Sequence, residues 1–160
     1  MRKIKIITDS CSDLSKELRE NYGIDYVAMD IHYNGVDKKA SLDWDLYSPK
    51  EFYDIMRNGT RVTTSQVPVQ AFVDIFNKYL DLDFDIIYIA CSSALSGSCN
   101  TAVVVANKIM NKNPSAKIAV VDSLNSCMGE GLLALMAARM NQENKSFSEK
   151  KACFFHGSVL

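Results

Sequence analysis

Hydroxyl side chains gather at three points of this chain, each where a strand should hand over to a helix. The clusters are Thr8-Asp9-Ser10-Cys11-Ser12, Ser92-Ser93-Ala94-Leu95-Ser96-Gly97-Ser98 and Asp122-Ser123-Leu124-Asn125-Ser126-Cys127-Met128-Gly129, with a fourth, Thr63-Thr64-Ser65-Gln66, in an intervening loop. Small hydroxyls and the free N–H groups of helix N-termini form an anion cradle. None of the clusters holds a Lys, Arg or His, which points to a singly charged acid rather than a polyphosphate. Thr64, Ser93, Ser96 and Ser98 are the candidate donors to a carboxylate. Ser65, Gly97, Ser123 and Ser126 complete the candidate ligand-binding set, and Asp9, Ser10 and Asp122 are secondary members. Ala94, Leu95, Cys99, Met128 and Leu132 would supply apolar lining.

Other chemistries fit these residues less well. A serine nucleophile needs a base in reach, and the chain has two histidines, His32 in a strand and His156 near the end. No Gly-x-Ser-x-Gly elbow is present, so no catalytic residue is assigned and His32 is read as an edge-strand or core histidine. Asp9 and Asp122, at matching strand ends, could bind a metal or act as acid and base. Carboxylates at such turns more often cap a helix or brace hydroxyls, and no metal site is assigned. Leu95-Ser96-Gly97-Ser98 has too few glycines and no Lys for a phosphate loop. A polar pinch beside apolar side chains suits an amphiphile. Burying its carboxylate is costly unless its oxygens are hydrogen-bonded, and acyl burial offsets this at about 0.8 kcal/mol per methylene.

The elements that must position these residues follow from periodicity. Residues 3–8 read as a buried strand, and a helix from Ser12 or Asp13 carries Leu14, Leu18 and Tyr22 on one face until Gly23 closes it. Tyr26 to Tyr33 reads as one strand, ending at a hairpin turn, Asn34-Gly35. Ser48-Pro49-Lys50-Glu51 has the N-cap, N1 and N3 residues of a helix start. A second helix follows Pro68, with Phe72, Phe76, Tyr79 and Leu80 in one stripe. Strands over 85–90 and 116–121 precede helices from about Ser98 and Ser126. The alternation predicts an α/β fold, a mainly parallel sheet with helices on both faces. Ligands of such sheets sit beyond the carboxyl ends of the strands, where all three strand-end clusters fall.

The chain has 160 residues, 48% hydrophobic and 23% charged, with a net charge of -1. That is the composition of one ordinary globular domain. Without a basic stripe, nucleic acid is not an expected partner. Five cysteines without C-x-x-C spacing argue against a disulfide framework or zinc site and for reduced thiols. With no signal peptide and no apolar run long enough to span a membrane, the expected location is the cytoplasm. Residues 1–145 are expected to form the α/β domain. Residues 146–160 read as an atypical tail: a polar stretch that could begin a helix, then hydrophobes that supply neither a finished helix nor a linker. A truncation, a frame change or an artificial boundary would explain them.

Taken together, the clusters resemble the DegV family, bacterial fatty-acid-binding proteins that serve fatty acid kinase. The resemblance rests on Thr8-Asp9-Ser10-Cys11-Ser12-Asp13-Leu14, Thr64-Ser65-Gln66, Ser92-Ser93-Ala94-Leu95-Ser96-Gly97, and Asp122-Ser123 with Ser126, Gly129 and Gly131, in order and in register across residues 3–140. It implies the N-terminal domain of such a carrier. Thr64 and Ser96 would hydrogen-bond a long-chain fatty acid carboxylate, and apolar helices would line an acyl tunnel. No cofactor is implied; the partner would be the kinase's catalytic subunit, which receives the presented acid. Two departures stand out. Val67 separates Thr64-Ser65-Gln66 from Pro68, and the family's C-terminal domain, with its carboxylate-proximal histidine, is absent. An isolated first domain would expose half a tunnel and could form homo-oligomers through that apolar face. The alternatives are a small metal- or nucleotide-dependent phosphotransferase or hydrolase using the strand-end aspartates, and a dimerising remnant that binds nothing.

Overall fold

The computed structural model describes residues 2–156, and of Phe155 and His156 the backbone alone. Four strands form a wholly parallel sheet in the order β2-β1-β6-β7: β1 (Lys3–Asp9), β2 (Asp25–Val27), β6 (Phe84–Ala90) and β7 (Ile118–Asp122). Its strands are apolar on both sides because helices cover both faces. Ile7, Ile86, Tyr88 and Ala90 point into one core with Phe72, Phe76 and Tyr79 of α3 (Val69–Asp81) and Ala102, Val105 and Ala106 of α4 (Ser98–Lys112). Ile6, Ile87, Ile89 and Val121 point into the other, with Ala134, Ala137 and Ala138 of α5 (Cys127–Gln142) and Leu18 and Tyr22 of α1 (Lys16–Tyr22). The expected α/β class holds.

A second sheet was not foreseen. β3 (Asp30–Tyr33), β4 (Val36–Lys39) and β5 (Thr63–Ser65) form an antiparallel sheet in the order β4-β3-β5. The segment read as one strand from Tyr26 to Tyr33 is therefore two, divided at Ala28 and Met29. Val27, Met29, Ile31 and Tyr33 keep an unbroken period of two across the break, which is why periodicity hides it. What separates the strands is backbone bonding: Met29 N–H donates to Ser10 Oγ at 3.0 Å, and Met29 O accepts from Ala40 N at 2.8 Å. Thr63 to Ser65, expected in a loop, form an outer strand of this sheet. The turn at Asn34 and Gly35 is as expected, with both residues at positive φ (47° and 72°).

The helix expected from Ser12 or Asp13 starts later. Ser15 accepts from Leu18 N–H and starts the helix at Lys16, not at Ser12 or Asp13. Asp13 instead has φ 53° and turns the chain so that Leu14 enters the core. Before α2 (Pro49–Arg57), Ser48 and Glu51 form the full capping box. The tail also departs from expectation. Residues Phe147–His156 form helix α6, and Phe154 packs into the α5-side core. Residues 157–160 lie outside the described part.

Gly131 locks α5 against the loop after β1. A Cβ there would lie 2.3 Å from the backbone oxygen of Ser12, which no side-chain rotation relieves. Gly131→Ala is expected to cost about 1–3 kcal/mol, read as a lower urea midpoint. An unchanged midpoint would show that α5 shifts freely over that loop.

Candidate functional site

The strand-end clusters meet at the carboxyl ends of β1, β6 and β7, where β5 arrives from the small sheet. Between them lies a cavity of about 300 Å³, lined by Cys11, Met29, Thr64, Ser65, Gln66, Cys91, Leu95, Ser96, Gly97 and Ser126. Of the residues singled out by sequence, Thr64, Ser65, Ser96, Gly97 and Ser126 line it. The others support it or lie outside. Ser98 is buried and its Oγ accepts from Val67 N–H at 3.0 Å. Ser10 holds Met29. Ser123 is folded onto Asn125, accepting its N–H and donating to its carbonyl. Ser93 is exposed. Its N–H, with that of Leu124, donates to Asp122 Oδ1, tying two loops together. Burial pushes the Asp122 carboxyl up, but the hydrogen bonds from Ser93 and Leu124 outweigh it and hold the group below its ordinary value.

Ser96 and Ser98 form a hydroxyl pair at the start of α4. Ser98 Oγ accepts from Val67 N–H, and the two hydroxyl oxygens lie 3.0 Å apart, where either can donate to the other. Ser96 Oγ also accepts from Ser98 N–H at 3.2 Å. When Ser98 donates to Ser96, the Ser96 hydrogen is free for an acceptor in the cavity. The N-cap residues at the rim, Gly97 before α4 and Ser126 before α5, make no side-chain cap bond. Unsatisfied amides and the helix dipole favour an anion there. A Cβ at Gly97 would meet Gln66 Oε1 at 1.8 Å, so a side chain there would have to displace the end of Gln66, whose Nε2 donates to Thr101 Oγ1.

Beneath the cavity lies a buried acid pair. Asp9 accepts from Cys11 N–H (2.9 Å), Cys91 N–H (3.0 Å) and the Tyr88 hydroxyl (2.9 Å). It is a structural brace, fully buried, and is not placed to meet a ligand. Its neighbour Glu130 escaped the sequence reading; the one signal was a lone acid between Gly129 and Gly131 at the head of an apolar helix. Glu130 Oε1 accepts from Thr8 Oγ1 at 2.6 Å, and Oε2 has no hydrogen-bond partner among the described residues. Burial, then the charge of Asp9, pushes the Glu130 carboxyl up to about 9. Burial raises Asp9 too. Since Asp9 has three donors, Glu130 holds the proton. Burial likewise keeps the Cys11 and Cys91 thiols protonated. Among the described residues no group of three or more His, Cys, Asp or Glu is placed to hold a metal, and no helix is long and apolar enough to cross a membrane.

His32 is neither an edge-strand nor a core histidine. It sits in the central strand of the small sheet with its side chain 37% exposed. Its Nδ1 lies 2.6 Å from Asp37 Oδ1, and its Nε2 3.1 Å from Ser65 Oγ. Strand pairing sets this line, because His32 faces Asp37 on β4 and lies next to β5. Nothing in the linear spacing shows it.

The outer face of α5 is also apolar. Met128, Leu132 and Met136, spaced i, i+4, i+8, are 41%, 56% and 49% exposed, and Leu95 is 71% exposed beside the cavity. Cys99, expected in the lining, is in the core instead.

Glu130 makes stability depend on pH. A carboxyl raised from 4.5 to about 9 contributes stability that is fully present below the lower value and lost as pH rises through the upper one. The slope is at most about 1.4 kcal/mol per pH unit. Glu130→Gln should flatten the decline in urea midpoint between those pH values. A decline that persists in the variant would place the titrating group elsewhere.

A family model described as an uncharacterised protein of the DegV family matches residues 3–153. A DegV domain-containing protein of Clostridium perfringens is 36% identical over 149 residues, which are 93% of this chain and 51% of that protein. The chain thus spans about half the length of the curated relatives it matches. A DegV family protein from Thermus thermophilus, solved as a fatty-acid binder, superposes with a TM-score of 0.84 at 27% identity, covering 98% of this chain and 53% of that one. A stearic-acid-binding protein from Eubacterium ventriosum superposes with a TM-score of 0.83 at 26% identity, over 93% of this chain and 51% of its own. In sequence and in fold, the chain belongs to the DegV family.

Proposed function

We propose that this domain holds the carboxylate of a long-chain fatty acid at the cavity between β5 and the N-termini of α4 and α5. The observation that carries the reading is the Ser96 hydroxyl at the cavity edge, which accepts from Ser98 N–H and can turn its own hydrogen to a ligand oxygen when Ser98 donates to it. Thr64 faces the same cavity from β5. No cationic side chain lines it, so hydroxyls and helix N-termini provide the electrostatic support. The acyl chain would leave past Leu95 and run along the Met128, Leu132 and Met136 stripe, an exposed apolar surface that needs a cover.

The protein would then act as a carrier, shielding the chain and offering the carboxylate to the catalytic subunit of a fatty acid kinase. The strand-end aspartates give no support to a phosphotransferase: Asp9 is buried under three donors, and Asp122 is engaged by the backbone of two loops.

The test is native mass spectrometry of purified protein, followed by solvent extraction and titration with a long-chain fatty acid. Ser96→Ala with Thr64→Val should weaken binding by about 10- to 100-fold, as expected for losing hydrogen bonds to a charged group, with the far-ultraviolet circular dichroism unchanged. Equal affinity in the double variant would remove these residues from the site. Absence of any bound acyl chain in the parent would remove the function.

A further inference from the structure

Asp37, His32 and Ser65 form one hydrogen-bonded line across the small sheet, and Ser65 is among the residues that line the cavity. The order of contacts matters. An ionised Asp37 can only accept, so in the neutral imidazole Nδ1 carries the hydrogen and Nε2 presents a lone pair. Ser65 Oγ, 3.1 Å from Nε2, must then donate to it. A hydroxyl donating to an imidazole whose other nitrogen is fixed by a carboxylate is the arrangement of an activated nucleophile. The Ser96 hydroxyl and the Gly97 backbone N–H, just before α4, belong to residues that line the same cavity. These are donors suited to a developing oxyanion.

We propose that Ser65 is the nucleophile and His32 the general base of an acyl-hydrolase activity at this rim, acting on an ester or thioester of a fatty acyl group. The proposal rests on the cavity accepting an acyl carboxyl. Ser65 Oγ attacks the carbonyl carbon; the carbonyl π electrons move to oxygen, and the hydroxyl proton passes to His32 Nε2. The tetrahedral centre collapses, breaking the bond to the alcohol or thiol, which leaves with the proton from Nε2 and yields an acyl ester on Ser65. A water, deprotonated by His32, attacks that ester. The fatty acid departs and the proton returns to Ser65 Oγ. The product is the acid that the cavity is built to hold, so the domain would load itself from an activated acyl donor. Asp37 is a positioning residue. Its side chain is 80% exposed, so its attraction for the imidazolium is partly screened and its loss costs less than that of the other two.

The experiment exposes purified protein to a fluorophosphonate and maps the adduct by peptide mass spectrometry, alongside hydrolysis of a p-nitrophenyl acyl ester and an acyl thioester. An adduct on Ser65 is expected. Ser65→Ala and His32→Gln should each lower hydrolysis by about 100-fold or more. Asp37→Asn should lower kcat less than either and leave KM for the ester unchanged, as expected of a residue that only orients His32. An adduct elsewhere, or an unchanged rate in Ser65→Ala, overturns the proposal. Fatty-acid retention is read in parallel by native mass spectrometry. Retention without a Ser65 adduct overturns the hydrolase and leaves the carrier standing; an adduct without retention supports the hydrolase and removes the carrier.

Discussion

One buried carboxylate sets the height of the loops on which the site is built. Asp9 ends β1 and binds the backbone of Cys11, on its own loop, and of Cys91, at the end of the neighbouring strand β6. Tyr88, from the middle of β6, donates to the same oxygen as Cys91. Strands in register by the sheet ladder are thus held in register again at their ends, where the ladder has stopped. Glu130 reaches the same point from α5 and joins Thr8. Two adjacent carboxyls in a dry interior cannot both be charged without large cost, so the pair keeps one proton and the loops remain fastened.

Above that floor the site is shared between two sheets of different character. The parallel sheet supplies helix N-termini and the Ser96 to Ser98 turn, and the antiparallel sheet supplies Thr64 and Ser65. Their junction is a short stretch, Gln66 and Val67, held by Thr101 and Ser98. A hydroxyl that reads in sequence as one more member of a polar cluster is, in the fold, the joint between the two sheets.

The parallel sheet, its two helical faces and the convergence of the strand-end clusters were legible because strand runs and helix stripes are local patterns. The capping box at Ser48 and the turn at Asn34 and Gly35 were legible for the same reason. The split between β2 and β3 was not, since Val27, Met29, Ile31 and Tyr33 preserve one period through a change of sheet. Nor was the role of His32, whose partners lie on two other strands and depend on register. Glu130 was missed because a charged residue in an apolar helix is read as a surface position, whereas burial is decided by what packs over it. Leu124, in the loop before α5, and Cys127, the first residue of α5, are both at positive φ (53° and 55°) and also give no sign in the residue pattern; strain of this kind is held by surrounding structure rather than by residue preference.

The bond from Val67 to Ser98 has a thermodynamic consequence. A ligand touching Thr64 and Ser96 together bridges the same two bodies that this bond joins, so occupancy and docking of the small sheet are one linked equilibrium. Ligand free energy is then distributed into closing that seam, by an amount that grows with ligand concentration over its dissociation constant. Conversely, prying β5 away would take Thr64 from Ser96. On the carrier reading, loosening that one edge would release the acid.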